Sequence, residues 1–154
     1  MIELFVSGIT VILFIIYLFK IDKIANWIEV SLFIERIDKE NGYEFETEIS
    51  QIFTEAGIRH FVTKKTRDGG VDIITENYVV QIKRYSAKKI PLKVITELAV
   101  VANKVGKRGI LITNYKLAME AEKKASKCDI GIIDRKRLIE IYLDPNKLKE
   151  YIKE

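Results

Sequence analysis

From Leu4 to Phe19 the chain reads LFVSGITVILFIIYLF without a charge, and with Ile2 and Ile21 at its ends it predicts an apolar helix of the minimum bilayer-spanning length, about 17 residues. Residues 22–40 keep helical spacing of apolar positions (Ile24, Trp27, Ile28, Val30, Leu32, Phe33, Ile34, Ile37), but on a wheel these cover more than one stripe. Such a segment lies at a membrane interface, packs on the rest of the chain, or pairs with a second copy, which leaves a homodimer open. The alternative for the first run is a buried core helix.

After the break at Asn41-Gly42 the period changes repeatedly. Phe45, Ile49, Ile52 and Phe53 predict a helix over 43–56 that stops at Gly57. IRHFVT (58–63), VDIIT (71–75) and YVVQIKRY (78–85) read as strands, the last two forming a hairpin across Glu76-Asn77. A helix opens at Pro91 and ends at Gly106, RGILIT (108–113) is a strand, 116–127 a helix, and DIGIID (129–134) a strand. Short helices at 137–143 and 146–152 finish the chain. Three strands in succession, then strands alternating with helices, predict an α/β fold with a mixed sheet covered on both faces. The expected organisation is therefore an anchor (1–21), a helical connector (22–41) and one domain (42–154).

Length and charge narrow this further. At 154 residues there is room for one domain of ordinary size. One Cys and two Pro exclude a disulfide scaffold, a Cys-rich zinc module and a low-complexity chain. All 26 Lys and Arg lie at or beyond Lys20, and the net charge is +4, which permits a nucleic-acid or anionic-membrane partner. Lys20 and Lys23 flank only the C-terminal side of the apolar run, so the positive-inside rule predicts a single-pass anchor in the cell membrane with the domain facing the cytoplasm.

The candidate chemistry lies in RDGGVDII (67–74) followed by VVQIK (79–83). Side chains alternate across a strand, so Gln81 and Lys83 share a face, and Asp72 starts the paired strand where the chain leaves a Gly-Gly turn. Hard divalent cations such as Mg2+ take oxygen ligands, and the Asp72 carboxylate, the Gln81 side-chain carbonyl and the Ile82 backbone carbonyl would supply three. Lys83 would help deprotonate a water or stabilise charge developing on a phosphate. By spacing alone, the same residues describe a hairpin with one wet face. The apolar neighbours Val79, Val80, Ile82, Val71, Ile73 and Ile74 favour a cleft.

These residues resemble the Mrr-type restriction endonucleases, a branch of the PD-(D/E)xK nuclease superfamily. The resemblance covers about Gly42 to Leu143 and rests on GYEFE (42–46), DGGVD (68–72), QIKRY (81–85) and GILITN (109–114). It implies a restriction-endonuclease-like mixed β-sheet sandwiched by helices, here preceded by the transmembrane helix. The implied activity is Mg2+-dependent cleavage of DNA phosphodiester bonds, serving defence against foreign or modified DNA, with no small-molecule cofactor. By the same resemblance Asp72 holds the metal, Gln81 replaces the usual acidic ligand, Lys83 is the catalytic lysine and Glu46 is the first-helix glutamate of the site. Gln for Glu leaves one fewer negative charge for the metal. Two alternatives stand beside this reading: a nuclease fold that binds or tethers DNA without cutting it, and a junction-resolving nuclease.

Lys64, Lys65, Arg67, Arg84, Lys88 and Lys89 cluster in sequence around the expected site and form the expected DNA contact. His60, the one histidine, reads as structural, Cys128 as a small buried hydrophobe, Asp68 as a turn former and Tyr85 as packing at a strand end.

Overall fold

The first helix, α1 (Ile2–Lys39), has no Gly or Pro after Gly8 to interrupt it, so the expected anchor and connector form one continuous 38-residue element. The computed structural model describes residues 2–63, 70–86 and 90–152, with side chains from residue 11 onward. It divides into two units, Met1–Arg36 and Ile37–Glu154.

In the first unit, apolar side chains stand exposed from Val11 to Leu32, among them Phe14, Phe19 and Trp27 at 61%, 65% and 70%. Among the described residues no helix is long and apolar enough to cross a membrane. Within the described side chains the uncharged run extends from Val11 to Phe19, before Lys20, Asp22 and Lys23, and the expected span 1–21 finds no support there. The side chains of residues 1–10 lie outside the described set.

The second unit begins at Ile37, a few residues before the expected start at 42. Its first complete helix, α2 (Gly42–Glu55), starts on a capping box in which Asn41 accepts from the Tyr43 and Glu44 N–H groups while Glu44 accepts from the Asn41 N–H. The five strands are β1 (Phe61–Val62), β2 (Ile73–Ile74), β3 (Tyr78–Lys83), β4 (Arg108–Thr113) and β5 (Ile130–Ile133), in the spatial order β1-β2-β3-β4-β5. The first three pair antiparallel and β3, β4 and β5 pair parallel, which is the mixed sheet that the element order predicts. The parallel half requires crossovers, supplied by α3 (Leu92–Val105) and α4 (Met119–Lys127), and α5 (Arg135–Leu143) and α6 (Lys147–Ile152) close the chain.

Two elements are shorter than the pattern predicts. β1 forms over two residues only, both exposed, in place of the expected 58–63. α4 starts at Met119 rather than 116 because Leu117 forms a parallel bridge with Ile90, and the Ala118 N–H donates to the Ile90 carbonyl. An extended bridge and a helical turn cannot share those residues.

Period two decides which helix each strand residue meets. Val79, Leu111 and Ile130 point to one face, where they bury with Ile95, Leu98, Ala99 and Ala102 of α3 and Ala121 and Ala125 of α4. Gly109 permits this approach, since a Cβ there would lie 2.5 Å from Ile130 Cδ1 and 3.1 Å from Leu98 Cγ. The apolar stripe of α2 (Phe45, Ile49, Ile52, Phe53) lies outside that cluster and packs with α2 on the other layer, against β3. Gln81 and Lys83 share the parity of Val79 and so face the α3 layer.

Candidate active site

β3 is buried along YVVQI and half-buried at Lys83. Among the described residues of the domain, the buried polar ones are Thr75, Gln81, Thr113 and Asn114. Three have partners, Thr75 accepting the Tyr78 N–H, Thr113 that of Tyr115, and Asn114 joining the cluster described below. Gln81 is 3% exposed, and its Oε1 is buried without a hydrogen-bond partner among the described residues. A buried carbonyl oxygen without a protein donor costs about 1–3 kcal/mol unless a water or an ion meets it.

Gly70 forms the wall beside that amide. Its φ is +76°, a region where L side chains are strained, and a Cβ on it would lie 2.5 Å from Gln81 Nε2. Glycine at position 70 suits both its positive φ and the close approach of the Gln81 amide. Gly70, Gln81 and Lys83 line a cavity of about 460 Å³ together with Thr96, Glu97, Val100 and Val101 of α3.

Asp72 enters by a different route. The ladder pairs Ile73 with Val80, while the Asp72 N–H donates to the Val80 carbonyl at 2.8 Å, so two consecutive residues oppose one, the pattern of a β-bulge. The bulge re-aims the half-buried Asp72 side chain toward β3, where its Oδ2 accepts the Ile82 N–H at 2.7 Å. Asp72 is thereby tied to the Ile82 peptide, between Gln81 and Lys83 in sequence, while Gln81 and Lys83 line a cavity whose described lining does not include Asp72. Glu46 is half-buried on α2, in the other helical layer, and is not among the described residues lining the Gln81–Lys83 cavity.

The donor set suits a hard cation: a carboxylate, an amide oxygen lacking a donor and a peptide carbonyl. Among the described residues no group of three or more His, Cys, Asp or Glu side chains is placed to hold a metal ion, so the amide and peptide oxygens would have to complete any such set.

Arg84, expected on DNA, is engaged elsewhere. Its Nε and Nη2 donate to the Ile37 and Asp38 carbonyls at the end of α1, at 3.2 and 2.7 Å. A guanidinium at that position satisfies helix-terminal carbonyls and complements the dipole. The same cluster holds a two-pronged ion pair, Arg135 Nη1 and Nη2 to Asp38 Oδ1 and Oδ2 at 2.9 and 2.5 Å. Asn114, fully buried, accepts the Tyr85 N–H at 2.8 Å and donates to the Tyr85 carbonyl at 3.1 Å and to Asp38 at 3.3 Å. Burial would raise the Asp38 carboxyl, but hydrogen bonds from Arg135 and Asn114 and the charges of Arg135 and Arg84 outweigh it and hold the group below its ordinary value. Sequence reasoning missed this cluster. The one available signal was the polar Asn114 directly after an apolar strand.

Lys64, Lys65, Arg67, Asp68, Lys88 and Lys89 lie outside the described residues. His60 is structural: its Nδ1 lies 2.9 Å from the Ile58 carbonyl and its Nε2 3.0 Å from Ser50 Oγ, both met by the Nδ1–H tautomer.

Comparison with known proteins follows the same geometry. Residues 37–142 match the Mrr_cat restriction endonuclease family model. Among solved structures, the DNA modification-dependent restriction endonuclease AspBHI is similar with a TM-score of 0.58 and 20% identity over 81% of this chain. The MspJI restriction endonuclease, in complex with a 27-mer oligonucleotide, gives 0.53 and 17% over 84%, and AF1548, a protein of unknown function, 0.53 and 19% over 61%. This chain spans 39%, 36% and 58% of those three chains, and at such identities the likeness is one of fold. No curated protein matches the sequence. The match to the family model takes in both strands of the candidate site and the Asp38 cluster beside it, and this chain belongs to the Mrr_cat restriction endonuclease family.

Proposed function

We propose that this protein is a Mg2+-dependent endonuclease that hydrolyses DNA phosphodiester bonds at Asp72, Gln81, Ile82 and Lys83. The observation that carries the reading is the buried, partnerless Oε1 of Gln81 beside Lys83, in a chain of a restriction endonuclease family. Asp72, Gln81 Oε1 and the Ile82 carbonyl would hold the cation, whose contribution when bound is to polarise a phosphoryl oxygen. Asp72 is fixed in direction by the Ile82 N–H, and Gln81 by the wall at Gly70. Lys83 extends from the same strand face and stabilises negative charge developing on the phosphate as water attacks phosphorus and the bond to the leaving oxygen breaks. DNA as substrate also draws on the oligonucleotide complex of MspJI.

The test is supercoiled plasmid incubated with the full chain and Mg2+. Nicking is expected, with a loss of about 100-fold or more in Lys83→Ala, in the range typical for removing one group that stabilises transition-state charge. Equal nicking by Lys83→Ala overturns the reading. Chelator-insensitive DNA binding without cleavage in any metal would establish the tethering alternative, and preference for a four-way junction over linear duplex the junction-resolving one.

The exposed apolar side chains of α1 support membrane association of the first unit, with the nuclease domain on the cytoplasmic side of Lys20 and Lys23. Flotation of the full chain with anionic vesicles is expected. A chain that stays with the soluble fraction and elutes as a dimer refutes it in favour of pairing between copies.

A further inference from the structure

We infer that Glu97, on α3, is a carboxylate ligand of the same cation, supplying the negative charge that glutamine at position 81 leaves out. The inference rests on the metal-dependent reading above and extends it to a residue outside the two strand motifs.

Glu97 is the one acid among the described residues lining the Gln81–Lys83 cavity. It stands on the flank of α3 with Thr96, Val100 and Val101, at helical spacings of one, three and four, so this flank forms the wall opposite Gly70 and β3. Gln81 lines the same cavity, and its Oε1 is buried without a donor among the described residues. An amide oxygen and one carboxylate, Asp72, give a divalent cation a single compensating charge, whereas two carboxylates neutralise it. Glu97 has one described ion-pair partner, Lys93 at 3.5 Å on the preceding turn, with side chains 52% and 80% exposed, respectively. A pair so exposed is weak and readily exchanged for a cation. Neither Asp72, tied to the Ile82 N–H, nor Glu46, in the other helical layer, is among the described residues lining this cavity, which leaves Glu97 as the carboxylate on the Gln81 and Lys83 side.

The experiment is Mn2+ binding to the full chain without DNA, read from the free-ion signal in electron paramagnetic resonance, with melting in EDTA as the fold control. Glu97→Gln is expected to weaken binding about tenfold or more with unchanged melting, the usual consequence of losing a group that holds a metal. Lys93→Ala, which removes the competing ammonium, is expected to hold or tighten it. Glu46→Gln is expected to change nothing, and Asp72→Asn to abolish binding. If Asp72→Asn abolishes binding while Glu97→Gln leaves it unchanged, the inference is overturned and the nuclease reading stands. Loss of binding in Glu46→Gln but not Glu97→Gln overturns it in favour of the α2 carboxylate. If the wild-type chain binds no Mn2+, both the inference and the metal-dependent reading fall.

Discussion

Gln81 and Tyr85 lie four residues apart on β3 and its exit, and the polar chemistry around them is of opposite kinds. At Tyr85 both backbone groups are held by Asn114, which is in turn tied to Asp38, Arg135 and the end of α1. At Gln81 a buried oxygen has no donor among the described residues. A closed network of hydrogen bonds rigidifies the strand exit. An open acceptor next to a lysine and a cavity is unfavourable for folding and useful only to something that arrives later. The two regions separate structural polarity from functional polarity within a few residues, and substitutions should separate them again.

The largest stability effect belongs to the closed region. Asn114→Leu leaves the Tyr85 N–H and carbonyl without partners, each costing about 1–3 kcal/mol, so a destabilisation of roughly 2–6 kcal/mol is expected in denaturant unfolding. A change under about 0.5 kcal/mol would mean that the network is ornamental and would break the comparison. Asp38→Asn should cost less, about 1–2 kcal/mol, because the pair is partly exposed and screened. Its pH dependence has a definite sign. The folded Asp38 carboxyl lies below its ordinary 3.8, so its contribution is present above that value and is lost as pH falls through the folded one. The stability gap between wild type and Asp38→Asn should accordingly be full at neutral pH and close in acid. A gap that widened in acid would contradict the assignment.

What could be read beforehand follows the same division. The alternation of YVVQIK put Gln81 and Lys83 on one face, and Pro91 and Gly106 bracketed a helix that runs over Leu92–Val105. These signals are local, set by period and capping. The bulge at Asp72 was not legible, because it depends on how β2 meets Val80 and not on either sequence alone. Nor was the Asp38–Arg135 pair, whose partners stand 97 positions apart and each look like an ordinary surface charge. Arg84 follows the same rule: next to a candidate catalytic lysine a guanidinium suggests phosphate, and only the fold shows its hydrogen bonds to the end of α1. Leu117 shortened a helix through a bridge to Ile90, again a contact with no local pattern.

The smallest stability effect sharpens the comparison most. Gln81→Met keeps the volume and removes the buried amide, so the cost of the donorless oxygen disappears and side-chain packing against Gly70 is retained with a flexible thioether. Stability should be unchanged or higher, by up to about 1 kcal/mol, a gain of the kind that follows when a functional polar group is replaced by an apolar one. Plasmid nicking and Mn2+ affinity should both fall at the same time. That combination, a more stable and less active chain, has the opposite sign to Asn114→Leu in stability although both residues are buried polar amides of adjacent strands. If Gln81→Met is instead destabilised by as much as Asn114→Leu, then the Gln81 amide is held by the fold after all, and the open acceptor is no longer the mark of a site.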